Sequence, residues 1–238
     1  MNQYAGRIVE LRSSAGPGPL LQIECPPGAA PAPGQYLLAH DPSDRETPLA
    51  LPLFSAGPTD DRTAGFLSKP GLIPGMENSP IPPGWGPGTE LTLHGPLGHG
   101  FRLPLEGQRI ALVALAETID RLSPLFSIAG DAVLLTGLPL QPAGLPPGVE
   151  VLRPEAFREV LGWADFIALD LSIDALPIAT AMLGLAEWPS LLPLAQALIA
   201  SPMPCGGLAD CGVCALPGGR QLRLACKDGP VFDLQNIL

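Results

Sequence analysis

Basic residues are scarce in this chain. Its 238 residues include 13 Lys and Arg against 23 Asp and Glu, a formal net charge of −10. That sign repels phosphate backbones and anionic lipid, so neither nucleic acid nor an anionic membrane surface is an expected partner. Charge of both signs together is low, at 15%, while hydrophobic residues reach 46%. This balance excludes disorder as the main state. Long apolar runs are missing: none reaches the roughly 18 to 20 residues that a membrane span requires. Met1-Asn2-Gln3-Tyr4 lacks the basic and apolar regions of a signal peptide, and the expected location is the cytoplasm. In a reducing compartment, five cysteines do not suggest a disulfide framework. No internal repeat is present. Ser55 has no Gly-x-Ser-x-Gly surroundings, which argues against a hydrolase nucleophile.

Glycine and proline, by contrast, are abundant (28 and 31), and predict many turns and short elements. Arg7-Ile8-Val9-Glu10-Leu11, Leu20-Leu21-Gln22-Ile23-Glu24 and Glu90-Leu91-Thr92-Leu93-His94 alternate with period two, and Pro33-Gly34-Gln35 is a turn feeding a further strand at Tyr36-Leu37-Leu38. Their spacing predicts a small antiparallel barrel, with a long Pro- and Gly-rich loop over 68–89. The middle of the chain changes character. Arg109-Ile110-Ala111-Leu112-Val113-Ala114-Leu115, Ala132-Val133-Leu134-Leu135-Thr136 and Phe166-Ile167-Ala168-Leu169-Asp170 are continuous apolar runs, which suit parallel strands buried on both faces. Helices are expected between and after them, over 119–129, 154–161 and 176–185, giving an α/β domain. The tail from Ser201 is too short for an apolar core of its own and calls for a metal or disulfides. The expected organisation is thus a barrel over 1–104, an α/β domain over 105–200 and a tail over 201–238.

Four of the five cysteines lie in that tail. Cys205, Cys211, Cys214 and Cys226 have the spacing C-x5-C-x2-C-x11-C. Four thiolates can hold zinc or an iron–sulfur cluster. A zinc ribbon usually offers two C-x2-C knuckles, and here there is one. Three cysteines followed by a distant fourth are nearer the plant-type [2Fe–2S] arrangement. Gly206, Gly207 and Gly212 allow backbone N–H groups to approach sulfur. A structural four-cysteine zinc site in a non-enzymatic scaffold remains the alternative on spacing alone. Cys25 stands apart and is expected to be a small buried residue.

The stretch from Cys205 to Cys226-Lys227-Asp228-Gly229-Pro230-Val231-Phe232 resembles the C-terminal iron–sulfur segment of the electron-transfer subunit of dihydroorotate dehydrogenase type B. Pro33-Gly34-Gln35-Tyr36 is similar to that family's turn in the flavin-binding barrel, and Gly95-Pro96-Leu97-Gly98-His99-Gly100-Phe101 to its junction between barrel and nucleotide domain. The resemblance implies a ferredoxin-reductase-like fold with a Rossmann-like middle domain. It also implies FAD in the barrel, a [2Fe–2S] cluster on Cys205, Cys211, Cys214 and Cys226, a partner flavoprotein or other oxidoreductase subunit, and a place in pyrimidine biosynthesis.

Three departures qualify those implications, the smallest being the x5 interval from Cys205 to Cys211 where the family has x4. Where the family places an Arg before its flavin-facing residues, this chain has Leu51-Pro52-Leu53-Phe54-Ser55. Phe54 and Ser55 remain candidates to face a flavin ring, and Arg45 a candidate to replace the missing phosphate partner. After Val113, where a Gly-rich turn would meet pyrophosphate, stands Ala114-Leu115-Ala116-Glu117-Thr118-Ile119-Asp120, with no glycine and two carboxylates. Sterics and charge both oppose a dinucleotide there, and NAD is not expected. The expected function is electron transfer through the cluster, to or from a partner oxidoreductase. A complete FAD-dependent NAD(P)H reductase with atypical contacts is the second reading. His94 and His99, Asp60-Asp61, and the group Asp165, Asp170 and Asp174 are read as ordinary turn and loop residues, and Trp85, Trp163 and Trp188 as packing residues.

Overall fold

The structure is a computed structural model that describes residues 2–13, 19–44, 50–58, 63–67, 81–102, 107–139, 145–185, 195–216 and 222–237. Six antiparallel strands close a barrel: β1 (Gln3–Ser13), β2 (Pro19–Glu24), β3 (Tyr36–His40), β4 (Leu51–Pro58), β5 (Thr63–Leu67) and β6 (Glu90–Leu97), in the order β1-β2-β5-β4-β3-β6. Closure leaves no open edge. The period-two pattern is realised in β6, where Leu91, Leu93 and Gly95 turn inward. With Ile8, Leu21, Ile23, Leu37, Leu53 and Phe66 they fill the barrel. Cys25 is buried in this core, as expected of a small apolar residue. Of the loop expected over 68–89, residues 68–80 lie outside the described residues, as do Arg45, Asp60-Asp61 and Trp188.

The second sheet has six strands: β7 (Arg109–Ala114), β8 (Asp131–Thr136), β9 (Glu150–Leu152), β10 (Phe166–Ser172), β11 (Ala195–Ala200) and β12 (Val231–Asp233), in the order β12-β11-β10-β7-β8-β9. The first five in chain order are parallel, and β12 joins antiparallel to β11. The three apolar runs are β7, β8 and β10, with Leu112, Leu134 and Leu169 fully buried. β11 escaped the sequence reading because its six residues, Ala-Gln-Ala-Leu-Ile-Ala, lack the β-branched density of a strand, although all six are buried.

The helices are shorter than expected. The segment 119–129 holds only α1 (Ser123–Phe126). Ahead of it, Thr118 Oγ1 accepts the Asp120 N–H at 3.0 Å and donates to Asp120 Oδ2 at 2.7 Å, a local turn that competes with helix. Over 154–161 a 3-10 turn, Pro154–Ala156, leads into α2 (Phe157–Leu161), and over 176–185 the helix α3 is Leu176–Met182. The tail contributes α4 (Ala225–Asp228) and then β12, so its end is part of the α/β sheet.

Barrel and α/β sheet share one core, in which Tyr36, Phe54 and Phe101 join the residues of β7, β10 and β11. The junction 95–101 ties the tail in as well. The His99 N–H donates to Gly229 O at 2.7 Å, and the Phe101 N–H to Pro33 O at 2.9 Å. Gly98 has φ of +74°, and a Cβ there would lie 2.5 Å from Pro230 Cδ and 2.6 Å from Gly229 O. Only glycine satisfies both conditions.

Candidate functional site

The four tail cysteines are brought together beside β3. Among the described residues, no group of three or more His, Cys, Asp and Glu side chains is placed to hold one metal ion. One close pair stands out: Cys214 Sγ donates to Cys226 Sγ at 3.2 Å, both buried, while Cys205 and Cys211 lie in the adjoining loop, where Cys211 acts on Cys205 to favour its thiolate. None of the five cysteines is in a disulfide.

The loop around the sulfurs follows from its sequence. Gly206, Gly207, Ala209 and Gly212 all have positive φ, of 59°, 74°, 64° and 70°. Ala209 carries a Cβ in this region, at a cost of about 1–2 kcal/mol. The N–H groups of Leu208, Asp210 and Cys211 act to favour the Cys205 thiolate, and that of Ala209 the Cys226 thiolate. Such donors favour thiolate sulfur. The Ala225 N–H donates to Cys214 O at 2.9 Å, and the Leu216 N–H to Arg223 O at 2.9 Å, so two short backbone links hold the third cysteine against the fourth.

The surroundings set the thiols apart. Burial opposes ionisation of Cys205, but the hydrogen bonds from Cys211 and the three N–H groups outweigh it and bring Cys205 down to about 7. Burial, the hydrogen bond with Cys214 and the neighbouring sulfurs push Cys226 up to about 12, against the Ala209 N–H. Tyr36 lies beside the same sulfurs. Its hydroxyl donates to Cys226 O at 2.8 Å, and burial followed by Cys226, Cys214 and Cys205 raises its pKa above the ordinary phenol value.

Phe54 and Ser55 sit on β4, next to Tyr36 on β3, and both are buried. The Phe54 ring is 5.8 Å from the Tyr36 ring, and the Arg121 guanidinium is 5.8 Å from the Phe54 ring centre. Ser55 Oγ accepts the Gly57 N–H at 3.2 Å. The surroundings of the two flavin candidates are thus occupied by the chain's own groups.

The strand order reverses between β7 and β10, from which β8-β9 run one way and β11 the other. Open α/β sheets bind ligands in the crevice beyond the strand ends at such a point. Here the N–H groups of Leu115 and Ala116, which directly follow β7, both donate to Asp170 O, at 2.9 and 3.1 Å. Arg121 lies against the same residue, with Nε 3.2 Å from Asp170 Oδ1 and 3.0 Å from Oδ2, and Nη1 3.7 Å from Glu117 Oε1. Arg121 is 1% exposed and Asp170 0%. Asp170 and Glu117 hold Arg121 charged against the opposing effect of burial. Helix α1 closes the space from the barrel side, where Ser123 Oγ donates to Ala56 O at 2.9 Å.

Arg121 is the residue that sequence reasoning missed. The signal was Asp170, a carboxylate inside an apolar run, which requires a buried cation. Its reading as an ordinary strand-to-loop residue is corrected. Asp165 pairs with Arg109 at the start of β10, and Asp174 is exposed. His94 lies on β6, and the exposed His99 has Nδ1 3.0 Å from Asp228 O, so the structure shows each in its own local setting.

A six-stranded antiparallel barrel followed by this mixed sheet is the ferredoxin-reductase-like fold. No protein-family model matches the sequence, and no curated protein matches it. Solved structures do match. An NADH-dependent reduced ferredoxin–NADP oxidoreductase, described for flavin-based electron bifurcation, is 19% identical, with a TM-score of 0.67 over 98% of this chain and 89% of that one. Phthalate dioxygenase reductase, which transfers electrons from pyridine nucleotides to [2Fe–2S], is 13% identical, with a TM-score of 0.57 over 82% of this chain and 68% of that one. Ferredoxin–NADP+ reductase of Plasmodium falciparum is 10% identical, with a TM-score of 0.51 over 78% and 90%. No helix among the described residues is long and apolar enough to cross a membrane.

Proposed function

We propose that this protein is an electron-transfer component that holds a [2Fe–2S] cluster on Cys205, Cys211, Cys214 and Cys226 and exchanges electrons with a partner flavoprotein or other oxidoreductase. The observation that carries this reading is the buried pair Cys214–Cys226, 3.2 Å apart, with Cys205 and Cys211 on the adjoining left-handed loop. A single tetrahedral ion asks for four equivalent sulfurs around one point. A two-iron cluster takes two thiolates on each iron, and N–H groups aimed at sulfur tune its potential. Bound there, the cluster would supply one-electron transfer. The chain's own residues do the rest. The left-handed loop residues aim donors at sulfur, Cys214 and Cys226 keep one pair buried, and the exposed Cys211 leaves the other pair near solvent.

The reading includes no nucleotide site of the chain's own. At the switch point the first N–H groups after β7 are already engaged with Asp170 O, and Arg121 fills the crevice against Phe54. The residues present do not fit a dinucleotide. The resemblance to the type B dihydroorotate dehydrogenase subunit supports a flavoprotein partner and, with it, pyrimidine biosynthesis.

A second reading, a complete FAD-dependent reductase, is favoured by the fold, since the solved structures of this fold include reductases. The deciding experiment is iron, sulfide, zinc and flavin analysis of anaerobically purified protein, with visible absorption and EPR. Two irons and two sulfides per chain, with a dithionite-induced EPR signal, establish the cluster. Stoichiometric flavin in addition moves the protein to the second reading. Zinc without sulfide or flavin, from cells grown with ample iron, overturns both and leaves a structural zinc site on the four cysteines.

A further inference from the structure

We propose that Tyr36 is the positioning residue of the sulfur site: its hydroxyl clamps the Cys226 carbonyl and so holds the turn of the last cysteine against the loop of the first three. The proposal rests on the reading of the four cysteines as one cofactor-binding set. Tyr36 opens β3 and is buried. A buried phenol requires a partner for its hydroxyl. That partner is the carbonyl of Cys226, 2.8 Å away and 190 residues further along the chain. Phenylalanine would fill the same volume, so what tyrosine adds here is the bond.

The same oxygen also meets the first half of the site. A Cβ on Gly207 would lie 3.1 Å from Tyr36 Oη, and Gly207 has φ of +74° between Cys205 and Cys211. One hydroxyl therefore bonds the turn that carries the fourth cysteine and stands beside the loop that carries the first ones, with little room for a side chain at Gly207. A Cβ on Gly98 would lie 3.1 Å from Tyr36 Cε1, where the junction 95–101 meets the tail. The strand beneath is fixed in turn, because Tyr36 pairs with Phe54 of β4 and Leu97 of β6 in the closed barrel. The barrel thus supplies a rigid post, and Tyr36 sets the position of Cys226 from it. Outer contacts of this kind orient cluster and metal ligands and commonly change affinity by about 10- to 100-fold when removed.

Tyr36→Phe tests the clamp, because it deletes the hydroxyl and keeps the ring. In metal-free, reduced protein, alkylation by iodoacetamide followed by peptide mass spectrometry is expected to run several-fold faster at Cys226 and unchanged at Cys25. In the loaded protein, iron release to a chelator is expected to be about tenfold faster. The reduction potential should fall, because the positive end of an O–H dipole beside the ligand has gone. Phe66→Leu, a change in the barrel core away from the tail, controls for general loosening and should move none of the three readings. Unchanged Cys226 alkylation, iron release and potential in Tyr36→Phe overturn the proposal, and so does an equal acceleration in Phe66→Leu. If the wild-type protein binds no iron and sulfide, the cluster reading fails on its own, while the alkylation comparison still decides the clamp.

Discussion

Arg121 and Asp170 form a buried ion pair at the point where the strand order of the α/β sheet reverses, 3.0 Å from Nε to Oδ2. Both charges have left water, and Arg121 Nη2 finds no hydrogen-bond partner among the described residues. Their attraction must offset two desolvation penalties, so the pair is weak evidence for stability while its disruption is costly. Arg121→Met leaves Asp170 buried without its cation, and should cost about 3 to 5 kcal/mol in denaturant unfolding. The double variant Arg121→Met/Asp170→Leu should recover most of that loss. Additive losses in the double-mutant cycle would show that the two charges are not coupled.

The same pair predicts how the protein responds to pyridine nucleotides. NADH or NADPH, titrated anaerobically against protein carrying its iron and sulfide, should give no saturable binding and no bleaching of the visible spectrum, whereas dithionite should bleach it. Reduction by either nucleotide at turnover rates would place the protein with complete reductases and would mean that the β7–α1 loop opens.

Much of the architecture was legible because its signals are local. Alternation in β6 and unbroken apolar runs in β7, β8 and β10 report burial directly, and Gly98 and Pro230 mark a junction that the structure uses. The cysteine spacing placed the candidate site on Cys205, Cys211, Cys214 and Cys226, of which the fold sets Cys214 against Cys226 and carries Cys205 and Cys211 on the adjoining loop. The rest depends on contacts distant in sequence. Arg121 meets Asp170 across 49 positions, and Tyr36 meets Cys226 across 190. Asp170 calls for a buried cation, but nothing near it in sequence points to Arg121, and nothing near Tyr36 points to Cys226. The long helix expected over 119–129 failed for a local reason, the Thr118–Asp120 turn, which helix periodicity does not register.

Acid should find a second ion pair. Asp165 accepts from the Arg109 side chain at 2.9 and 3.1 Å and from its backbone N–H at 3.0 Å. The side-chain bond, then the backbone bond, hold Asp165 down to about 2. A carboxylate depressed on folding contributes stability that is fully present above its unfolded value of about 3.9 and is lost as pH falls through that value toward the folded one. Between about pH 4 and 2, wild-type stability should therefore fall more steeply with acidification than that of Asp165→Asn. The two curves should run parallel near neutrality. Identical acid limbs would remove Asp165 from the account.

Gly98→Ala probes the seam between barrel, α/β sheet and tail. The new Cβ would meet Pro230 Cδ at 2.5 Å and Gly229 O at 2.6 Å, and the backbone φ of +74° would be strained as well. The left-handed backbone alone costs about 1–2 kcal/mol, and steric displacement adds to it. Since the His99 N–H donates to Gly229 O, three residues beyond Cys226, the displacement should reach the sulfur site. The expected result is a lower melting temperature together with reduced iron content. Loss of stability with full iron content would show that the seam and the sulfur site are independent.

Substituting the cysteines one at a time separates cluster from zinc by the pattern of the losses. Cys25→Ser should retain full iron and sulfide, since Cys25 belongs to the barrel core. Serine at Cys205, Cys211, Cys214 or Cys226 should each remove most of both. The pairs are not equivalent, however. Cys214 and Cys226 are buried 3.2 Å apart, and a hydroxyl in place of either sulfur leaves its partner inside the protein, so these variants should also lose thermal stability. Cys211 is exposed, and its variant should lose metal while the apoprotein melts as the wild type does. For a structural zinc site the order reverses in kind: each of the four ligands would cost folding energy, because zinc binding is then part of the folding free energy. Melting of the four serine variants beside their metal content therefore distinguishes a cluster carried for electron transfer from an ion carried for stability.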